Sequence, residues 1–287
     1  MMPLLEGTPV TSTCASLRRS LVATGLMFVV AVASAGAQAP ETFEPQVGQP
    51  GKDVVWVPTP PELVDKMLDM AAVTSKDFVV DLGSGDGRNV IAAAKRGARA
   101  LGVEYNPEMV ALSKRLATEQ GVGGRARFVE GDMFEAEFPD ATVLALFLLP
   151  DNMRRLRPKF VNLKPGTRIV ANTFGIDGWE PDAIEKIEED CNTWCTAMLW
   201  IVPARVEGRW RLGQDELTLT QDFQKVSGTL TSGGAALQVE SGRLRGEEIS
   251  FAVGGAEYSG RVNGNRLEGT AKSGGEQRRW SASRQRP

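Results

Sequence analysis

The run Phe78-Val79-Val80-Asp81-Leu82-Gly83-Ser84-Gly85-Asp86-Gly87-Arg88 leaves this chain few ways to fold. Phe78 to Leu82 is apolar and β-branched around one aspartate, the pattern of a short strand buried in a parallel sheet. Gly83, Gly85 and Gly87 punctuate a turn, and the apolar-periodic segment Val90 to Ala94 follows as a helix. Glycine at alternate positions lets the backbone approach a ligand, and the free N–H groups of the helix that follows attract a carboxylate or phosphate. A nucleotide-like ligand is expected; a helix-opening turn with no ligand is the competing account.

Spacing separates the ligands. A dinucleotide turn needs glycine at its first, third and sixth positions, and here the sixth is Arg88. An acidic residue ending the strand, Asp81, followed by G-x-G-x-G, resembles instead the first motif of the class I S-adenosylmethionine (SAM) methyltransferases. That resemblance implies SAM as cofactor. Asp81 would hold its ammonium, directly or through water, with the backbone of Gly83, Ser84, Gly85 and Gly87 near its methionine end.

The following segments keep the same rhythm. Ala100 to Glu104 reads as a second strand, and Glu104 closes it 23 positions after Asp81, where a carboxylate accepts hydrogen bonds from ribose hydroxyls in nucleotide-binding α/β folds. A solvent-facing glutamate is the plain alternative. Asn106 and Pro107 cap and open a helix, and Arg127 to Glu130 makes a third strand followed by Gly131, Asp132 and Met133. In the class I pattern Asp132 bonds the adenine amino group and Met133 covers the ring; without that pattern Asp132 is only a turn residue. Val143 to Leu149 is an apolar central strand, and Asp151 after it is the candidate catalytic residue facing the acceptor. Arg168 to Thr173 returns as a fifth strand, and Ala183 to Ala204 holds two more. The order predicts an α/β, doubly wound, mostly parallel seven-strand sheet with its ligand at the carboxyl ends of the strands.

Thr59-Pro60-Pro61-Glu62 combines an N-cap, an early helical proline and a capping-box glutamate, so a helix should start there. Thr59 is either that cap or, with Pro60, part of a turn folded over the ligand on the substrate side. From roughly residue 57 to 210 the chain resembles a narrower group, the seven-strand protein-lysine methyltransferases of the ATP synthase c subunit type and their bacterial relatives. The matching residues are Pro58-Thr59-Pro60, the Asp81 to Arg88 turn, Gly102-Val103-Glu104 and Leu163 to Val170. Leu149-Pro150-Asp151 departs from it, standing where that group is more aromatic. The resemblance implies methyl transfer to an amine, either protein lysine or a small molecule. An exported SAM-binding protein with the same fold and little turnover is the alternative.

Composition narrows the chemistry. The 287 residues include no histidine, which removes imidazole bases, His-ligated metals and Ser-His-Asp nucleophiles. A formal net charge of −3 provides no basic footprint for nucleic acid. Arg18 and Arg19, the apolar stretch Leu21 to Ala35 and the small residues Ala35-Gly36-Ala37 read as a signal peptide cleaved after Ala37. This predicts a periplasmic or cell-envelope protein whose membrane contact is limited to that segment, if retained. Residues 38–53, rich in Pro, Gln and Gly, are expected to be a flexible linker before a 54–206 methyltransferase domain. Cys191 and Cys195 could form a disulfide or remain two thiols, and with so few ligands no metal site is expected. Residues 207–287 break into short, glycine-punctuated strands, predicting a small antiparallel barrel or curled sheet.

Overall fold

The alternating apolar runs build two faces of one sheet. The computed structural model describes residues 43–188 and 191–285, so the targeting segment 1–37 lies outside the described residues. Strands β1 (Phe78–Leu82), β2 (Arg99–Glu104), β3 (Ala126–Glu130), β4 (Val143–Leu146), β5 (Arg168–Asn172), β6 (Ala183–Lys186) and β7 (Thr196–Ile201) pair in the order β3-β2-β1-β4-β5-β7-β6. The first five are mutually parallel, and β7 runs antiparallel to both β5 and β6. The order reverses between β1 and β4, which places a ligand crevice above those two strands.

Successive side chains of a strand face opposite ways. Val79 and Val143 therefore join helices α1 (Pro61–Met70), α2 (Arg88–Lys95) and α3 (Pro107–Glu119) on one side, through Leu63, Met67, Val90 and Val110. Val80, Leu144 and Ile169 join helix α4 (Pro150–Phe160) on the other, through Met153, Leu156 and Phe160. Each fully buried side chain of this kind contributes about 1.5–3 kcal/mol. A polar staple ties the sheet where β1 begins: Asp77 accepts hydrogen bonds from the Thr74 amide at 2.8 Å and the Thr142 hydroxyl at 2.8 Å, and pairs with Arg168.

Three expectations are corrected. Thr59 does not cap α1; Pro60 occupies the cap position, and the Thr59 hydroxyl, buried, lies 3.4 Å from the Asn172 amide nitrogen that donates to it. β4 ends at Leu146, because Phe147 to Leu149 leave the ladder and turn across the crevice. The described part of the expected linker is folded. Gly48 donates to the Trp56 carbonyl at 2.8 Å, Trp56 donates to Gln49 at 2.9 Å, and Pro50 bridges Val55, giving a strap over the carboxyl ends of the sheet. Its Pro, Gly and Gln residues are those of a tight turn as much as of a linker.

Beyond the sheet, β8 (Gly208–Leu212), β9 (Asp215–Asp222), β10 (Lys225–Ser232), β11 (Ala235–Arg245), β12 (Glu248–Val253), β13 (Ala256–Asn263), β14 (Arg266–Ser273) and β15 (Glu276–Arg284) form a closed eight-strand barrel. Each strand pairs with the next, and β15 returns to β8. The turns Gly233-Gly234, Gly254-Gly255 and Gly274-Gly275 all have positive φ, as the tight hairpin turn demands. Trp210, Leu244, Phe251, Tyr258, Leu267 and Trp280 fill the interior.

The barrel is docked on the sheet through Trp179 and Phe223, whose rings stack at 5.1 Å, and through Asp182. One oxygen of Asp182 accepts from the Ile201 amide at 2.8 Å and the other from Arg243 at 2.7 Å.

Candidate active site

A cleft opens at the carboxyl ends of β1, β2 and β4, roofed by the strap. Gly85 lets it close: with φ of 56° it occupies the left-handed region, and a Cβ there would stand 2.8 Å from the Trp56 indole nitrogen. Gly87 serves another purpose. It starts α2, and a Cβ on it would meet the Phe128 ring at 2.6 Å, so its bareness fits helix to sheet and it does not line the cleft.

Glu104 is pinned. Its two oxygens accept one bond each, from the Gly85 amide at 2.9 Å and the Asn106 amide at 2.9 Å, leaving further lone pairs toward the cleft. Asp81, only 3% exposed, accepts from the Asn89 amide at 3.1 Å. Burial pushes its carboxyl well above the ordinary range, the Asn89 hydrogen bond opposes this, and the charges of Glu104 and Asp86 add to the rise. Asp132 accepts from the Phe134 amide at 2.9 Å and from the Lys52 ammonium at 2.8 Å, and the Lys52 bond holds its carboxyl below the ordinary range. Met133, buried, lies beside it in the lining.

The cleft holds more negative charge than its own cations balance. Its lining includes the carboxylates of Asp53, Asp81, Asp86, Glu104 and Asp132 and the cations of Lys52 and Arg88. Lys52 bridges Asp53 and Asp132, and Arg88 pairs with Asp86 at 2.5 Å. Asp81 and Glu104 have no cationic partner among the described residues. The buried Ser84 hydroxyl and Asn89 carbonyl oxygen also lack hydrogen-bond partners. A ligand bearing an ammonium and a diol supplies what these groups need, so the residues present fit SAM.

Of the other residues expected here, Ser84, Gly83 and Thr59 line the cleft, and Pro60 does not. Asp151 lies outside the lining. Pro150 starts α4 directly after Leu149, so Asp151 sits on the outer face of the first turn, 78% exposed and 2.6 Å from Arg154. The sequence did not point to Lys52 and Trp56 on the strap, or to the rings of Phe147, Phe174 and Trp194, all of which line the cleft. Trp194 carried one visible signal, its place between two cysteines. These are joined, Cys191 to Cys195.

A doubly wound sheet with acidic residues at the ends of β1 and β2 and after β3, around a glycine turn, defines a class I SAM-dependent methyltransferase, with SAM as cofactor. The ANTKMT methyltransferase domain matches residues 81–183. A protein-lysine N-methyltransferase of Saccharolobus islandicus is 43% identical over 152 residues, covering 52% of this chain and 94% of that protein. The chain belongs to this methyltransferase family. The lysine N-methyltransferase of the ATP synthase c subunit from Rattus norvegicus is 41% identical over 105 residues, 36% of this chain and 49% of the rat protein, so the match spans about half of that relative. Among solved structures, an RNA methyltransferase from Salinibacter ruber in complex with S-adenosylhomocysteine (SAH) is 41% identical. It covers 52% of this chain and 96% of its own, with a TM-score of 0.49.

Proposed function

We propose that the chain methylates the side-chain amine of a protein lysine, and that it works outside the cytoplasm. The observation that carries the first part is the acidic lining of the cleft, where Asp53, Asp86, Glu104 and Asp132 face only Lys52 and Arg88, both already paired within it. Such a cleft attracts cationic groups and disfavours a polyanion such as RNA. The Saccharolobus relative, matched over nearly its whole length, is named for protein lysine. Export is supported by the arginine-led apolar segment before Ala37 and by the Cys191–Cys195 bridge, since such bonds persist in oxidising compartments.

In this reading Asp81 receives the methionine ammonium, Glu104 the ribose hydroxyls and Asp132 the adenine amino group, with Met133 against the ring. SAM supplies a methyl group on a sulfonium that leaves as a neutral thioether. The acceptor would have to lose its ammonium proton to water before its lone pair could take that methyl group, the S–CH3 electron pair staying with sulfur. The chain's own contribution is alignment in a closed cleft, and the strap bearing Trp56 and Lys52 excludes water from the cofactor end. Incubation with radiolabelled SAM and poly-lysine, followed by amino-acid analysis, is expected to give methyl-lysine. SAH binding without any transfer would instead favour an exported binding protein.

A further inference from the structure

One part of the cleft lining is aromatic. Phe147 follows β4 and Phe174 follows the parallel neighbour β5, while Trp194 precedes β7; because β7 runs antiparallel to β5, all three meet at the carboxyl ends of β4 and β5. Their centroids lie 6.2 Å apart for Phe147 and Phe174, 5.9 Å for Phe147 and Trp194, and 5.2 Å for Phe174 and Trp194. All three rings are half-buried and line the cleft. No assigned cofactor contact uses them.

Trp194 is held there at a cost. Its φ is 62°, a left-handed conformation that a bulky residue adopts only when its surroundings impose it. The constraint is local: the Cys191–Cys195 bridge closes a ring around Asn192, Thr193 and Trp194. On the other side the Thr173 amide donates to the Thr196 carbonyl at 2.7 Å, tying the end of β5 to the start of β7. So short a loop removes less unfolded-state freedom than a long one, so the bridge serves the shape of this loop more than global stability.

We propose that Phe147, Phe174 and Trp194 form the acceptor wall of the cleft. The ammonium group of the acceptor, before or after methylation, lies against their faces, and the Cys191–Cys195 bridge is the positioning element that holds Trp194 in place. Aromatic faces attract an alkylammonium through their negative quadrupole while remaining apolar toward its methyl groups. An unpaired carboxylate at this place would hold the amine as a cation and oppose its attack, whereas ring faces bind it without fixing its proton. This deepens the amine-acceptor reading above and rests on it.

The test uses the full chain saturated with SAH, with choline and its uncharged isostere 3,3-dimethylbutanol as probes in calorimetry. Choline is expected to bind more tightly than the isostere by about fivefold or more, the range of a partly desolvated cation–π contact. Trp194→Ala should abolish that preference with SAH affinity within about twofold, and Cys191→Ser with Cys195→Ser should weaken it likewise. Reducing the bridge in the unmodified protein is expected to reproduce the cysteine variant. Equal binding of the two probes, no binding of choline, or a preference that survives Trp194→Ala overturns the proposal. SAH affinity reads the fold in every variant. Poly-lysine methylation tests the underlying reading separately: transfer without a Trp194-dependent choline preference refutes only the wall, and the preference without transfer refutes only the lysine acceptor.

Discussion

The ammonium of Lys52 stands 2.8 Å from the carboxylate of Asp132, joining the strap to a turn 80 residues further along the chain. Lys52 also lies 5.3 Å above the Tyr105 ring. Asp132 keeps free lone pairs beside this contact, so an adenine amino group can share the carboxylate. The ion pair therefore acts as a latch on the strap.

Lys52→Ala should loosen the latch. SAH is expected to dissociate about three- to tenfold faster, with a smaller change in association, and the contribution of Lys52 should fade as salt rises. Stopped-flow kinetics at two ionic strengths checks this. An unchanged dissociation rate would mean that the strap is held without Lys52.

Asp81 predicts a pH signature. Its carboxyl is raised in the folded protein, so the folded state keeps a proton that the unfolded chain has released, and unliganded stability falls as pH rises above the ordinary carboxylate range. A ligand ammonium needs the ionised form, so SAH should bind more tightly as pH rises above the ordinary carboxylate range through the raised value. Asp81→Asn should flatten both trends and weaken SAH on the order of tenfold to a hundredfold, while the unliganded protein melts no lower than the original. Thermal melts and calorimetry across that range decide it.

The opposite sign holds for Asp77. Burial pushes its carboxyl up, but the Thr74 amide, the Thr142 hydroxyl and Arg168 together bring it below its ordinary value of 3.8. The stability it contributes is present above that value and is lost as pH falls through the depressed one. Arg168→Ala strands a buried carboxylate and should cost about 3 kcal/mol in urea unfolding at neutral pH. The gap between the two proteins should narrow in strong acid, where Asp77 protonates in both.

Arg243→Ala leaves Asp182, whose side chain is 5% exposed, with the Ile201 amide and no cation. Unfolding should become easier by about 2 kcal/mol. SAH affinity should not move, because no residue of the barrel lines the cleft. A loss of SAH binding in the folded variant would show that the barrel shapes the site from a distance.

Asp81, Glu104 and Asp132 were legible because each stands at or just beyond a strand end beside a local turn signal, and chain order places strand ends together. The strap was not. Its composition is that of a linker, and what folds it, Lys52 on Asp132 and Trp56 on Gly85, joins segments far apart in sequence. Asp151 has the right chemistry on the wrong side of a helix, since the start of α4 at Pro150 fixed which residues of the first turn face inward. Phe147, Phe174 and Trp194 come from three separate segments; parallel β4 and β5 bring the two phenylalanines together, and antiparallel β7 adds Trp194. In the barrel the hairpins were readable from their glycines, and a small barrel was one of the two forms expected; the glycines alone do not decide between a curled sheet and closure.

That closure sets the order in which the barrel can form. Seven of its eight strand pairings are made between neighbours in the chain; the eighth joins Trp210 to Arg284, about seventy residues apart. The meander can zip up locally, yet both outer strands stay open until the last one arrives. A protein cut short before Glu276 would display β8 and β14 as bare edges, templates for pairing with another molecule. β15 is thus a seal against aggregation as well as a wall of the barrel.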